Sequence, residues 1–172
     1  GEFLQTAAGA TVWAAAPAMA ATTVTVSAQN NAGFNMNTLA LTAVPFPTVS
    51  INKAKGSGVA FTVSGAGNTT FTAHTAGTYL VDFRGGLNDT ASACLVGIYK
   101  NGVLQHQTTS LSYAILGALN SSPNTINVNG FIDLVNGDAL EIRTIRANAL
   151  QLTNLNLDAN RNTLSISFIS VP

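Results

Sequence analysis

The residues of this chain that could take part in chemistry are few and stand far apart in the sequence. Catalysis needs groups brought together, such as a nucleophile with a base. The two histidines, His74 and His106, have no Cys, Asp or Glu at the spacing of a metal-ligand motif. No serine lies in the Gly-x-Ser-x-Gly pattern of a nucleophile elbow. The sequence therefore predicts no catalytic residue, and we expect a protein that is not an enzyme.

The same search predicts no cofactor and no metal. Gly56-Ser57-Gly58 and Gly65-Ala66-Gly67 resemble phosphate-binding loops, but no helix is predicted after either one. Without a helix N-terminus there is nothing to hold an anion, so we interpret both as turns. The alternative is a calcium site, and its candidate ligands are the carboxylates of Asp89, Asp133, Asp138 and Asp158. Asp138 is explained more simply as a turn residue.

The one cysteine, Cys94, excludes a disulfide or a multi-cysteine metal site within one chain. It belongs to the apolar run Cys94-Leu95-Val96, which predicts a small buried side chain. A disulfide between chains or a reactive thiol is the alternative interpretation.

The composition excludes several classes of partner. Seven Lys and Arg balance seven Asp and Glu, so no basic field exists to bind nucleic acid. No apolar run is long enough to span a bilayer, and no basic amphipathic stretch indicates insertion into a membrane. Charged residues make up only 8% of the chain, against about 25% in an average domain. Since a solvated domain normally keeps a charged surface, we expect part of this surface to be covered in an oligomer.

The length of 172 residues suits one domain with an N-terminal extension. We interpret residues 1–21 as a linker, or a stalk or tag remnant, with weak structure. Gly1-Glu2-Phe3 is typical of a cloning scar, and Pro17 interrupts the Ala-rich stretch that follows. Residues 22–172 form the predicted domain.

The domain is predicted to be all-β, with eight to ten strands in a sandwich or barrel. Asn101-Gly102 separates two β-prone runs, which is the strongest short-range signal for a hairpin. A second unit runs from Thr125 to Val135, turns at Asn136–Asp138 and returns as Ala139–Ile145, and the last strand spans Thr163–Val171. The other predicted strands are Thr23–Ala28, Thr38–Thr42, Thr48–Asn52, Val59–Ser64, Phe71–Thr75 and Thr78–Arg84.

Four segments resemble one superfamily. Phe71, Gly77, Tyr79 and Phe83 reproduce the F-x₅-G-x-Y-x₃-F spacing of C1q-like domains. Gly130–Ile142 looks like the penultimate hairpin of tumour-necrosis-factor (TNF)-like domains, and Leu164–Val171 is similar to their final strand. Val44–Val49 resembles the first strand of the C-terminal domain of the collagen-like exosporium glycoprotein of bacilli. Over residues 38–172 the chain thus resembles the bacterial branch of the C1q/TNF-like superfamily.

The resemblance implies a ten-stranded, two-sheet jelly roll that forms a compact homotrimer. Phe71, Gly77, Tyr79 and Phe83 are then the core signature. Side chains that alternate with the core residues point towards the threefold axis, and Arg84 is expected to pair with a carboxylate there. The predicted trimer-interface residues are Leu80, Asp82, Arg84, Phe131, Asp133 and Ile169. The alternative is that these are ordinary surface residues.

The function predicted from these features is a non-enzymatic trimeric head domain, a structural component of a spore or cell surface layer such as an exosporium. The predicted partner is a further copy of the same chain, and the predicted location is extracellular. The alternative is a receptor- or glycan-binding trimer, either a phage fibre tip on a virion surface or a lectin, with a host receptor or glycan as partner. Sugar sites need an aromatic platform, and Tyr99 and Tyr113 are the candidates, since Trp13 lies in the N-terminal extension. A signalling ligand of the TNF type is a third hypothesis.

Overall fold

The computed structural model describes residues 2–7, 10–15, 25–30, 33–36, 38–53, 59–87, 93–111, 124–147 and 156–170. Within these ranges every regular element is a β-strand. The strands are β1 (Glu2–Ala7), β2 (Ala10–Ala15), β3 (Thr25–Gln29), β4 (Phe34–Asn35), β5 (Thr42–Ala43), β6 (Thr48–Lys53), β7 (Phe61–Ser64), β8 (Thr70–Ala73), β9 (Gly77–Leu87), β10 (Ala93–Lys100), β11 (Val103–Leu111), β12 (Asn124–Leu134), β13 (Ala139–Arg146) and β14 (Asn156–Ser170).

Two antiparallel sheets of six strands each form the body of the molecule. Sheet I has the order β11-β10-β13-β8-β7, with β5 also paired to β13. Sheet II has the order β12-β9-β14-β3-β6, with β4 also paired to β14. The predicted all-β, two-sheet architecture is confirmed. The count of ten strands is not, because the described ranges hold fourteen strands, including the two-residue strands β4 and β5 and the separate pair β1–β2.

The core lies between the two sheets and is built by alternation along each strand. Tyr79, Val81 and Phe83 of β9 are fully buried. The ring of Phe46 meets those of Phe71 and Phe83 edge to face, with centroid distances of 6.0 Å and 5.9 Å. Such geometry is the favoured one for aromatic pairs, and the rings join the two sheets at the centre of the core.

The hairpin predicted at Asn101-Gly102 is confirmed. Lys100 pairs with Val103, so the turn contains two residues. Both have positive φ, 50° at Asn101 and 80° at Gly102, as a type I′ turn requires.

The prediction that β12 and β13 return on each other as a hairpin is wrong. β12 pairs with β9 in sheet II, whereas β13 pairs with β10 in sheet I. A turn closed by the hydrogen bond from Asp138 N–H to Val135 O, at 3.0 Å, carries the chain across the sandwich. The physical reason is that Leu134 and Leu140 are both buried, and two apolar faces cover one core best from opposite sides.

Only the last two residues of the segment Val44–Val49 belong to a strand. β6 begins only at Thr48, because Pro45 and Pro47 have no N–H to donate to a ladder. Val44 N–H instead donates to Ile142 O at 2.8 Å, and Phe46 N–H donates to Gly67 O at 2.6 Å. These bonds insert the Phe46 ring into the core.

The strand predicted at Thr38–Thr42 is also mostly wrong. Only Thr42 and Ala43 pair, forming β5 against Thr144 and Arg143 of β13. Leu39 and Leu41 are exposed, so the apolar residues of this segment do not have the single buried face that would support a longer strand.

Two strands lie in the N-terminal extension, which we interpreted as a linker or a stalk or tag remnant. β1 and β2 pair antiparallel as a sheet of their own, with Leu4 opposite Trp13. Phe, Thr, Val and Trp favour strands, and this local preference accounts for the hairpin. Residues 16–24, with Pro17, lie outside the described ranges.

Candidate interface on sheet II

The predicted interface residues are positioned by three neighbouring strands of sheet II. β9 lies between β12 and β14, and Leu80 of β9 stands opposite Phe131 on one side and Ser167 on the other. Because the flanking residues Tyr79 and Val81 are buried in the core, Leu80 faces away from it. We call the side of sheet II that is turned away from the core the Phe131 face.

Five of the predicted interface residues lie on the Phe131 face by alternation: Leu80, Asp82, Arg84, Phe131 and Asp133. Ile169 stands at a register irregularity of β14 at the end of the sheet. Phe131 is 63% exposed and Ile169 is 52% exposed, while Leu80, opposite Phe131, is half-buried. Phe131 and Leu80 stand opposite each other and form an apolar end of the face. Arg84 lies nearer the opposite end. Asp133 pairs with Thr78, and Arg84 is six residues farther along β9, about 20 Å at the rise of a strand.

Arg84 and Asp82 form an ion pair on this face. Arg84 Nε donates to Asp82 Oδ2 at 2.9 Å, and Nη2 lies 2.8 Å from the same oxygen. The hydrogen bond and charge of Asp82 raise the pKa of Arg84. The arginine side chain is 68% exposed and that of Asp82 only 20%. The pair therefore leaves the middle of the face without net charge.

Asp133 stands at the apolar end and is exposed. Its Oδ1 accepts a hydrogen bond from Thr78 Oγ1 at 2.6 Å. The two residues are opposite each other in the β12–β9 register, so a cross-strand pair orients this carboxylate.

Two side chains from sheet I occupy the outer edge of β12. His106 Nε2 lies 3.2 Å from Phe131 O, and since a carbonyl only accepts, the ring nitrogen is the donor. Lys100 Nζ donates to Asp133 O at 2.8 Å. An edge strand with free carbonyls invites another strand to pair. At these two positions the carbonyls of β12 are already bonded, so only its side chains are left to make further contacts there.

Sequence reasoning missed these two caps. His106 and Phe131 stand 25 residues apart, and nothing local links them. Gly130 offers the only hint, because a Cβ at that position would strike the His106 ring. The pattern of the chain alone does not show which ring approaches the glycine.

A row of small hydroxyl side chains lies beside Leu80 on the same face. Ser165 and Ser167 of β14 are half-buried, and Ser27 of β3 stands opposite Ser165. The alternation of serines along β14 was the sequence signal for it. We call Ser27, Ser165 and Ser167 the serine row.

A cavity of about 290 Å³ opens towards the polar end of sheet II. Its lining residues come from neighbouring rungs of β9 and β12: Arg84, Gly85, Gly86, Thr125, Ile126 and Asn127. A guanidinium, a hydroxyl and an amide are the polar groups that its side chains present.

The core signature residues face the space between the two sheets: Gly77, Tyr79 and Phe83 belong to β9 of sheet II, and Phe71 belongs to β8 of sheet I. Phe71, Tyr79 and Phe83 are fully buried, and Gly77 is buried beside them. Tyr79 Oη donates to Thr75 O at 2.8 Å, and burial raises the pKa of this phenol.

Tyr99 does not offer an open aromatic platform. The guanidinium of Arg143 lies 5.3 Å from the centre of its ring, in cation–π contact. Arg143 is itself held by Glu141, whose carboxylate also accepts from Thr70 Oγ1 at 2.8 Å. The other candidate, Tyr113, and the side chain of Trp13 lie outside what the structure describes.

The carboxylates considered for calcium do not gather at one point. Among the described residues no three His, Cys, Asp or Glu side chains stand close enough to share an ion. Asp138 is occupied by protein donors: Oδ2 accepts from Val135 N–H at 2.8 Å and lies 2.9 Å from Lys100 Nζ. Asp89 and the side chain of Asp158 fall outside the described part. Nor do the described ranges contain a helix suited to crossing a bilayer.

Comparison with known proteins gives a likeness in structure only. No protein-family model matches the sequence, and no curated protein matches it. The crystal structure of murine APRIL, a TNF-family jelly-roll protein, superposes with a TM-score of 0.56 at 14% identity. The match covers 86% of this chain and 99% of that one. It gives no support to the exosporium branch suggested by Val44–Val49. At this identity the likeness establishes the architecture, and the chain has a TNF-like jelly-roll fold.

Proposed function

We propose that this domain is a non-enzymatic, trimer-forming head that presents a surface outside the cell. The observation that carries the proposal is the Phe131 side chain, 63% exposed on a sheet face whose edge is already capped by His106 and Lys100. Burying a phenylalanine side chain contributes about 1.5–3 kcal/mol. A second copy of the chain offers the cover that the protomer lacks.

The charge distribution supports this proposal. Arg84 is paired with Asp82, so the middle of the Phe131 face is neutral. Like charges brought together across an interface cost several kcal/mol, and this arrangement avoids most of that cost when identical faces meet. The scarcity of charged residues, 8% of the chain, points the same way.

The TNF-like fold adds an argument by analogy. A shared fold does not by itself imply a shared function. The analogy therefore raises the expectation of three copies, whereas the exposed aromatic and the neutral face are properties of this chain.

Sedimentation equilibrium at micromolar concentration tests the proposal. The wild type is expected at the mass of three chains, and Phe131→Asp at the mass of one, because a carboxylate in the contact would be buried unpaired. Val103→Asp is the matched control: Val103 is also 63% exposed but lies on β11 of sheet I. It should remain a trimer. A wild type with the mass of one chain would contradict the proposal.

We place this head on a spore or cell surface layer, where a poorly charged domain suits dense packing. The resemblance of Val44–Val49 to an exosporium protein is what supports this setting. Antibodies raised against the domain should label intact cells or spores of the source organism. Labelling only after the cells are broken would contradict an external location.

A receptor- or glycan-binding module is the second candidate, and the cavity beside Arg84 supports it. Thr125 and Asn127 would give a sugar hydroxyl both donors and acceptors. A glycan array tests this reading. A reproducible hit that Asn127→Ala abolishes would favour it, and an array without hits would favour the structural head.

A further inference from the structure

We infer that Asp138 protects two Asn-Gly turns of this chain, Asn101-Gly102 and Asn136-Gly137, from spontaneous deamidation. One oxygen of its carboxylate bonds the side chain of Asn101, and the other closes the turn that contains Asn136. This protection belongs to the single folded chain and does not depend on the number of copies that associate.

Deamidation at an Asn-Gly pair is favoured because glycine has no side chain to hinder its nitrogen. The backbone nitrogen of the glycine attacks Cγ of the asparagine and forms an N–Cγ bond. The Cγ–Nδ2 bond breaks, and the amide nitrogen leaves as ammonia together with the proton of the glycine N–H. Water then opens the five-membered imide to aspartate or isoaspartate. The reaction therefore needs both a free side-chain amide and a free glycine N–H.

The sequence contains three Asn-Gly pairs, of which the third is Asn129-Gly130. This pair lies inside β12, where Gly130 pairs with Val81 of β9. The strand ladder holds its backbone extended, and the bonds of the Asp138 carboxylate go to other parts of the chain. Asn129 is therefore an internal reference within the same molecule.

At Asn101-Gly102 the side-chain amide is the group that is held. Asn101 Nδ2 donates to Asp138 Oδ1 at 2.6 Å, and Asn101 Oδ1 accepts from Ala139 N–H at 2.8 Å. Gly102 is exposed, and a Cβ there would meet nothing within 4 Å. Attack on Cγ therefore waits until the amide leaves Asp138, and breaking a hydrogen bond to a charged group is costly.

At Asn136-Gly137 the glycine nitrogen is the group that is held. The Asn136 side chain is exposed, but Gly137 N–H donates to Ala73 O at 2.9 Å. Asp138 closes this turn twice: its Oδ2 accepts from Val135 N–H at 2.8 Å, and its own N–H donates to Val135 O at 3.0 Å. The closed turn keeps Gly137 N–H directed at Ala73.

Asp138 is suited to this role because it is itself fixed. The residue is 7% exposed, and Lys100 Nζ lies 2.9 Å from its Oδ2. A charged acceptor in a buried place makes stronger hydrogen bonds than a neutral one. Deamidation of Asn101 would make the loss of its bond permanent, since an aspartate at that position cannot donate to Asp138.

Deamidation rates measured site by site test this role. The native protein is incubated in mildly alkaline buffer, and peptide mass spectrometry follows each of the three asparagines. In Asp138→Ala the rates at Asn101 and Asn136 should rise about tenfold, because a charge-assisted hydrogen bond no longer opposes local opening. The rate at Asn129 should stay at that of the wild type. In urea all three sites of the wild type should react faster and at similar rates.

Thr144→Val is the matched control for a loss of stability. Thr144 Oγ1 donates to Met36 O at 2.8 Å in the core. It stands six residues after Asp138 in the chain, about 20 Å away along β13. This variant should unfold at lower urea than the wild type and keep all three native deamidation rates.

Asp138→Asn is the conservative variant. It keeps an oxygen acceptor but loses the charge, so its rates at Asn101 and Asn136 should lie between those of the wild type and Asp138→Ala. If Asp138→Ala does not fold, all three sites will react as they do in urea, and Asp138→Asn then serves for the same comparison with Asn129.

Equal acceleration at all three sites in a folded variant would show that general unfolding controls the reaction, and would overturn the role of Asp138. Unchanged rates at Asn101 and Asn136, or acceleration at only one of them, would overturn it as well. So would native wild-type rates at these two sites as fast as those in urea.

Discussion

Asn52 and Phe61 exchange two hydrogen bonds where sheet II meets sheet I. Asn52 Nδ2 donates to Phe61 O at 2.7 Å, and Phe61 N–H donates to Asn52 Oδ1 at 3.0 Å. The same oxygen accepts from Ala60 N–H at 3.1 Å. Asn52 is on β6 and Phe61 on β7, the last strands of the two sheets. One side chain thus closes one open side of the sandwich, as His106 and Lys100 close the other.

Asn52→Ala should therefore destabilise the fold more than an ordinary surface change. It leaves the backbone groups of Ala60 and Phe61 without their partner, and each unsatisfied buried group costs about 1–3 kcal/mol. We expect a loss of about 2 kcal/mol in urea unfolding. Asn127→Ala, at an exposed position, is the control. An equal loss in both variants would contradict the role of Asn52.

Asp138 links two turns of the chain and should make stability depend on pH. Burial alone would raise its pKa, but hydrogen bonds from Val135 N–H, Lys100 and Asn101 outweigh it and hold the pKa below the ordinary value. Asn101 Nδ2 lies 2.6 Å from Asp138 Oδ1. A lowered pKa in the folded state means that the contribution is present above the unfolded value of about 3.9 and is lost as the pH falls through the folded one.

Asp138→Asn should accordingly cost about 1–2 kcal/mol at pH 7, and the difference from the wild type should shrink in acid. Urea unfolding at pH 7 and below pH 4 measures it. Asp133→Asn, which alters an exposed carboxylate, is the control and should show a smaller effect at both pH values. If the difference in unfolding free energy between wild type and Asp138→Asn grows in acid, the predicted direction of the pKa shift is wrong.

Gly77 is required by a close approach in the core. A Cβ there would lie 2.8 Å from Ser170 O and would strike the ring of Phe168. Backbone cannot move aside as a flexible side chain can, so Gly77→Ala should cost about 1–3 kcal/mol. Gly102→Ala provides the comparison, since a Cβ there meets nothing within 4 Å and the strain comes only from a φ of 80°. If Gly77→Ala unfolds at the same temperature as the wild type, the neighbouring groups can move aside and the glycine is not required.

Cys94 should be inert towards thiol reagents in the native protein. Its pKa is raised to about 11, since burial outweighs the hydrogen bond with Thr144. At pH 8 its reaction with a disulfide reagent should be about a hundredfold slower than that of an exposed cysteine. Thr62→Cys supplies such an exposed thiol in the same chain. When this variant is unfolded in urea, Cys94 and the introduced cysteine should react at the same rate. Rapid native labelling of the wild type would contradict the buried state.

Much of the architecture followed from local patterns. Alternation along β9 and β14 identified their core faces, because side chains of a strand point to opposite sides. Asn101-Gly102 predicted its hairpin correctly, since the two-residue turn depends only on residues that accept positive φ. Alternation likewise predicted that Phe131 points away from the core, but its position opposite Leu80 depends on the register of β12 on β9.

The all-β class, the core sides of β9 and β14 and the Asn101-Gly102 turn could be predicted from the chain because each depends on neighbouring residues. Three other features became visible only in the folded molecule: β12 and β13 belong to different sheets, Pro45 and Pro47 carry Phe46 into the core, and His106 caps the strand of Phe131. The physical reason is that these features depend on residues distant in sequence competing for one core and for a few backbone groups. Local preference cannot rank such pairings, since each becomes favourable only when the opposite sheet is in place.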